Sequence, residues 1–401
     1  MIKIKVDNPS TIEKIHLEHF KPIVLTKLYS EIIKARRENN KSLLGILYYL
    51  KANVDTILIG KKPELKELIT KVEKYHYISL NKFSGIREQR IKEANGKQSP
   101  EVFKLLLQKF INKGFYPLRI HFEREGFIKE DPPNSVDSFK EVLVILEEKW
   151  KEHKEVLTRI FDYEAFSSAK KGWSAYELAE LLNVRVCPYC NRMFTITIRK
   201  VNGEGNQTRP DFDHYYPKSS YQYLGLSLYN LIPSCLVCNR TMKGVNDFYK
   251  NEAIHPYEEE FLKVASFSTV LQDEDDESYK FLLGQSSNFN ITFKIDTKDD
   301  DFKKRVQRSI EVFDIEKIYN SHKDVVLDII RTARVYTDER FKELYDQVRY
   351  MYDSDEEFMQ SFFLNYMATE DQDKRPFAKL TQDISKELGL SLKFSKRKET
   401  K

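Results

Sequence analysis

All four cysteines of this 401-residue chain lie in two Cys-x-x-Cys pairs, Cys187-Pro-Tyr-Cys190 and Cys235-Leu-Val-Cys238. Two knuckles of this spacing can bring four thiolates to the corners of a tetrahedron around Zn²⁺, whereas disulfides are rare in a reducing compartment. A site closed by four sulfurs has no position for substrate, so the expected zinc is structural. The stretch between the pairs also needs such a staple, because a unit of about 65 residues buries only about 60% of its surface. Whatever fold the middle of the chain takes must bring residues 187–190 and 235–238 to one point.

A chain of this length exceeds one ordinary domain, and 32% charged residues with only 13 glycines point toward helix. Apolar residues at three- and four-residue spacing predict helices in PIVLTKLYSEIIKARR, SLLGILYYLKANVDTILIG, PELKELITKVEKY, SPEVFKLLLQKFI and VDSFKEVLVILEEKWKEHKEVLTRIF, with EDPPNS as a break. WSAYELAELLN opens on a capping box from Ser174 to Glu177. MFTITIRK alternates and predicts a strand, VNGEGNQ a loop, and SCLVCNRTMK a helix ended by Gly244. Further on, VASFSTVLQ, YKFLLG and FNITFKID predict short strands around the acidic run DEDDE, and helices resume from Asp300. The basic end KFSKRKETK reads as a solvated tail. The expected class is therefore α+β and mostly helical, with domains over 1–165, 166–260 and 261–401. MIKIKVDNPS lacks the apolar core of a secretory signal, and no apolar run reaches bilayer length, so the expected location is the cytoplasm, without membrane contact.

Charge is distributed unevenly. Between Cys187 and Lys250 eight basic residues face four acidic ones, and this window carries the whole net charge of +4. It also contains Asp211-Phe-Asp-His-Tyr-Tyr-Pro-Lys-Ser219. Asp213 can ligate a hard cation, and His214 is suited to general-base work near neutral pH. Asn239 follows Cys238 directly, so a filled zinc site would fix its position. On a helix Asn239 and Lys243 share a face, which aims an oxygen ligand and a cation the same way. His255 could add a ligand, although a structural role is the simpler reading. Tyr215, Tyr216, Tyr221 and Tyr223 could stack on bases, but packing of the loop is again simpler.

Taken in order, CPYC, DHYYPKS, YNLIPSC and CNRTMKG resemble the HNH nucleases, whose ββα-metal unit runs through the same motifs; the match spans about residues 174–257. The aromatic linker and IHPYEEEF are more similar to the PtuB-like nucleases of Septu and some retron anti-phage systems than to Gly-rich homing-type HNH proteins. The resemblance implies a central zinc-stapled HNH domain in which His214 is the general base. It further implies that Asp213 and Asn239 hold one Mg²⁺ or Mn²⁺, and that Asn230 orients the histidine through the loop backbone. Asparagine at 239, where many members have histidine, favours an oxygen-preferring cation. Lys218, Arg240 and Lys243 are candidate phosphate contacts. The implied substrate is nucleic acid, with DNA expected, and the implied products are 5′-phosphate and 3′-hydroxyl ends. The chain has no Walker A signature, and the resemblance points to an ABC/SMC-like ATPase partner. The rival reading is a non-catalytic zinc adaptor that docks nucleic acid or a protein; such an adaptor needs neither Asp213-His214 nor Asn230 and Asn239.

Overall fold

The computed structural model describes residues 2–75, 151–169, 171–200, 204–261, 264–272 and 278–390. The helix expected at Ser99-Pro100, EDPPNS, DEDDE and the basic tail lie outside them. Among the described residues the structure is mixed α+β and mostly helical, with two small two-stranded sheets. None of the described helices is long and apolar enough to cross a membrane. Contacts divide the chain into two units that interleave along the sequence rather than following it in order. The first comprises Met1–Asp7, Ala179–Asp213 and Ile232–Lys401, the second Asn8–Leu178 and His214–Leu231.

In the second unit the helix Pro9–Arg37 buries Ile12, His16, Phe20, Val24, Leu28 and Ile32. Each four-residue step advances about 40° beyond a full turn, so the buried stripe winds around the helix instead of keeping one face. Lys41–Ala52 and Val54–Ile59 pack along it. The single predicted helix here is split at Asn53, whose Nδ2 donates to the Tyr49 carbonyl (2.8 Å) and whose backbone begins the next helix. Two short 3₁₀ turns, Gln222–Leu224 and Leu228–Asn230, rest on Val54–Ile59. Ser174 and Glu177 do meet, but through their side chains rather than as a reciprocal capping box: the Ser174 hydroxyl donates to the Glu177 carboxylate and accepts from the Tyr176 N–H at 3.3 Å.

In the first unit the N-terminal residues lie along the first knuckle, with the Ile2 N–H on the Pro188 carbonyl at 2.9 Å. The strand expected over MFTITIRK is not formed. Only isolated bridges, Val186 to Phe194 and Ile198 to Thr208, join this ribbon, and Phe194, Ile196 and Ile198 are exposed on it. Alternation there marks a side facing solvent, not a sheet face covered by a core. YKFLLG is also corrected, since Ser278–Leu282 is helical; a run that short does not distinguish the two periods. The other two expected strands pair antiparallel, Ala265–Leu271 with Phe289–Ile295; these are β3 and β4 of the described chain. Helix Ala378–Glu387 packs on the first of them, buried over eight consecutive residues, and Asp383 accepts the Phe267 N–H at 2.9 Å. The smaller sheet pairs β1, Asp211–His214, with β2, Leu231–Ser234.

His16 has a stability consequence. Trp173 Nε1 can only donate, so His16 Nδ1 accepts it (3.1 Å) and Nε2–H donates to the Leu226 carbonyl (2.7 Å). Burial pushes its pKa down from 6.5 to about 4. Below the unfolded value the unfolded chain binds a proton that the folded chain refuses, so this contribution is complete above pH 6.5 and is lost as pH falls toward 4. The loss is on the order of 3 kcal/mol. Urea unfolding of wild type and His16→Gln at pH 7, 5.5 and 4.5 should show the steeper decline in wild type. Parallel declines would contradict it.

Candidate functional site

The four cysteines are all buried, and their sulfurs lie within 4.8 Å of one another. A Zn–S distance of about 2.3 Å sets tetrahedral S···S edges of about 3.8 Å, so the cluster is compatible with zinc. Two backbone donors already point at sulfur, the Arg192 N–H at Cys190 and the Cys238 N–H at Cys235, both at 3.4 Å. Burial pushes the Cys187 thiol up, while hydrogen bonds from the other three cysteines pull Cys235 well below the ordinary thiol range. Asn191, in the left-handed region at φ 51°, turns the chain out of the first knuckle. Its carbonyl accepts the Phe377 N–H (2.8 Å), its Oδ1 the Lys379 N–H (3.1 Å), and its Nδ2 donates to the Gln372 carbonyl (2.9 Å).

Within the same unit, strand periodicity sends Asp211 and Asp213 to one face. Asp213 is buried; its Oδ2 accepts the Tyr189 hydroxyl (2.7 Å) and its Oδ1 the Lys243 ammonium (3.0 Å). Lys243 is 1% exposed, so the expected surface phosphate contact is instead the buried counter-ion of Asp213. The segment Val237–Lys243 is a π-type helix, and Gly244 ends it at φ 50°. Asp211 engages the other two expected groups. Asn239 Nδ2 donates to its Oδ2 at 3.3 Å, and Arg240 grips both oxygens at 2.9 and 3.3 Å. A carboxylate only accepts, so this bond fixes the Asn239 amide with Oδ1 on its other side.

In the second unit His214 Nε2 lies 3.0 Å from the Gly225 carbonyl. A carbonyl cannot donate, so Nε2 carries a proton and donates to it. The Tyr163 ring meets His214 edge-on at 4.5 Å. Asn230, fully buried, clamps the loop that begins at the histidine. Its carbonyl accepts the Tyr215 N–H, its Oδ1 the Tyr216 N–H, and its Nδ2 reaches the carbonyls of Tyr216 and Leu224. The loop is fixed at both ends, next to Gly225. A Cβ on Gly225 would lie 2.9 Å from the Phe161 carbonyl, which explains glycine there. Lys218 is exposed, pairs with Glu164 and sits 4.7 Å over the Tyr163 ring. Tyr215, Tyr216, Tyr221 and Tyr223 are buried and pack on one another, leaving no face for a base. His255 is buried as well.

Tyr189, Asp211 and Gly225 were not singled out from sequence. The two-residue spacing of Asp211 and Asp213 was the available signal for the first carboxylate; nothing local marks the other two. Among the described residues the cysteines are the only group of three or more Cys, His, Asp or Glu placed to hold a metal. No family model, curated protein or solved structure matches the chain.

The two basic residues on the π-type helix should therefore differ on substitution. Lys243→Met leaves the Asp213 carboxylate buried without its ammonium, and breaking such a pair costs about 3–5 kcal/mol. Arg240→Ala, at a side chain 64% exposed, should leave the unfolding midpoint unchanged. Denaturant titration of both variants checks this, and equal effects would overturn the burial argument.

Proposed function

We propose that the chain is a metal-dependent HNH-type endonuclease hydrolysing phosphodiester bonds, with DNA as its substrate. The observation that carries this reading is the setting of His214: its Nε2–H donates to the Gly225 carbonyl, which fixes the tautomer and orientation of the ring on the residue that directly follows Asp213. Asn230 is buried and makes four hydrogen bonds to the loop backbone, which supports a role in orienting the histidine.

The residues fit two different metals. The clustered thiols suit Zn²⁺, held by Cys187, Cys190, Cys235 and Cys238 as a structural ion. Asp213 and Asn239 offer only oxygen, which suits Mg²⁺ or Mn²⁺ with water and phosphate completing the shell. A carboxylate has about four acceptor positions, and Tyr189 and Lys243 use two of them at Asp213. When bound, such a cation supplies charge compensation at the scissile phosphate and the leaving 3′ oxygen. His214 takes the proton of the attacking water, leaving 5′-phosphate and 3′-hydroxyl ends. Asp211 holds the Asn239 amide in the orientation that presents Oδ1. Lys218 remains an exposed cation beside the loop, and Arg240, which binds Asp211 through Nε and Nη2, has other guanidinium N–H donors for phosphate.

A nuclease of this kind endangers its host unless restrained. We infer a role as the nuclease effector of an anti-phage system, under an ABC/SMC-like ATPase partner. Affinity purification from the native host should recover that ATPase; a fully active protein with none attached would refute this part.

Catalysis itself is tested by two substitutions with opposite profiles. His214→Ala should keep its zinc and fold while plasmid cleavage in Mg²⁺ or Mn²⁺ falls ~10²–10⁴-fold. Cys187→Ala should lose zinc and unfold locally, since structural zinc contributes ~10–16 kcal/mol in small modules. Cleavage by His214→Ala at the wild-type rate, or no cleavage of DNA or RNA by wild type, would leave the zinc adaptor as the better reading.

A further inference from the structure

Two consecutive carbonyls in one turn of the second unit each receive a histidine Nε2. Gly225 O lies 3.0 Å from His214, and Leu226 O lies 2.7 Å from His16. The two histidines are 198 positions apart in the chain, one at the loop's start and one in the helix Pro9–Arg37. His16 has both ring nitrogens committed, because Trp173 Nε1 donates to its Nδ1 at 3.1 Å. Its ring is therefore fixed in one tautomer and cannot rotate without leaving a buried donor or acceptor unpaired. Burial, which pushes its pKa down to about 4, keeps it neutral at ordinary pH.

We propose that His16, together with Trp173, is a positioning residue for His214. Holding the Leu226 carbonyl restricts rotation of the neighbouring peptide, and so directs the Gly225 carbonyl that sets the tautomer and tilt of the His214 ring. The turn has no freedom on its other side, where a Cβ at Gly225 would meet Phe161 O at 2.9 Å and Gln222 O at 3.1 Å. The rings themselves form a second connection. His16 contacts Phe20 (4.8 Å), Phe20 contacts Phe166 (5.4 Å), Phe166 contacts Tyr163 (6.2 Å), and Tyr163 meets His214 (4.5 Å). The ring that would take the proton is thus steered by the backbone and packed from the side, and both restraints lead back to one residue of the first helix. Aligned reacting groups account for much of an enzyme's rate, and groups that orient a reacting residue cost about 10–100-fold when removed.

This proposal rests on His214 being the general base, so its test includes a readout independent of cleavage. Full-length protein labelled with ¹⁵N-histidine reports the tautomer of each ring, and His214→Gln assigns the signal. Wild-type His214 should appear as the Nε2–H form. His16→Phe keeps a buried ring but cannot donate to Leu226. It should give a mixture of His214 tautomers and a kcat lower by about 10–100-fold, with KM within about twofold and zinc content unchanged. His16→Gln, whose amide can both donate to Leu226 and accept from Trp173, should restore the tautomer and most of the rate. Should His16→Phe fail to fold, Trp173→Phe removes the indole donor to His16 while keeping an aromatic ring, and carries the same test. An unchanged His214 tautomer in these variants overturns the proposal, and a fall in rate without a tautomer change marks a merely structural role. If wild type cleaves no nucleic acid, the nuclease reading fails on its own, and the tautomer comparison still decides this one.

Discussion

Four sulfur atoms buried within 4.8 Å of one another cannot all hold charge without a cation among them, and much of the first unit is organised around that requirement. Each knuckle aims a backbone N–H at sulfur, a contact that would spread the charge of a thiolate into the peptide. The second knuckle opens directly into the π-type helix that carries Asn239, Arg240 and Lys243. Fixing the sulfurs thus fixes where those three side chains begin, and the two carboxylates of β1 decide what they do.

The proposed reacting groups share a design. His214 gives one nitrogen to Gly225, Asn239 gives its NH₂ to Asp211, and Asp213 is balanced by Lys243 and Tyr189. In each case hydrogen bonds to the protein hold the polar group in one orientation. Such commitment removes the reorganisation that free side chains would require at the moment of reaction. It also explains why Asp211, with no expected role of its own, belongs beside residues that have one.

The cysteine spacing was legible in sequence because two-residue knuckles have few other uses, and the long helices because their apolar spacing persists over many turns. Asp213, His214 and Asn239 stood out by residue chemistry and position, and Asn230 through a motif alone, but neither signal told which partners hold them. What could not be read depended on distant segments. Lys243 looks like a surface cation until Asp213, 30 positions earlier, is placed against it. MFTITIRK looks like a strand until its apolar side is found in solvent, and Gly225 looks like an ordinary turn glycine until the Phe161 carbonyl approaches it. His16 lies in a regular apolar stripe and carries no local mark of its bond to a carbonyl 210 positions away.

The clamp on Asn191 bears on how the protein is made. The groups that hold the turn after Cys190 come from Gln372, Phe377 and Lys379, the last of them 188 positions later. A ribosome adding about 5–20 residues per second needs roughly ten seconds or more to cover that distance. During that time the first knuckle exists without the segment that secures it, and the buried helix Ala378–Glu387 is still unmade. Nascent and prematurely terminated chains therefore lack the finished cysteine unit. The order of synthesis itself delays the clamp on the first knuckle until residue 379 has been made.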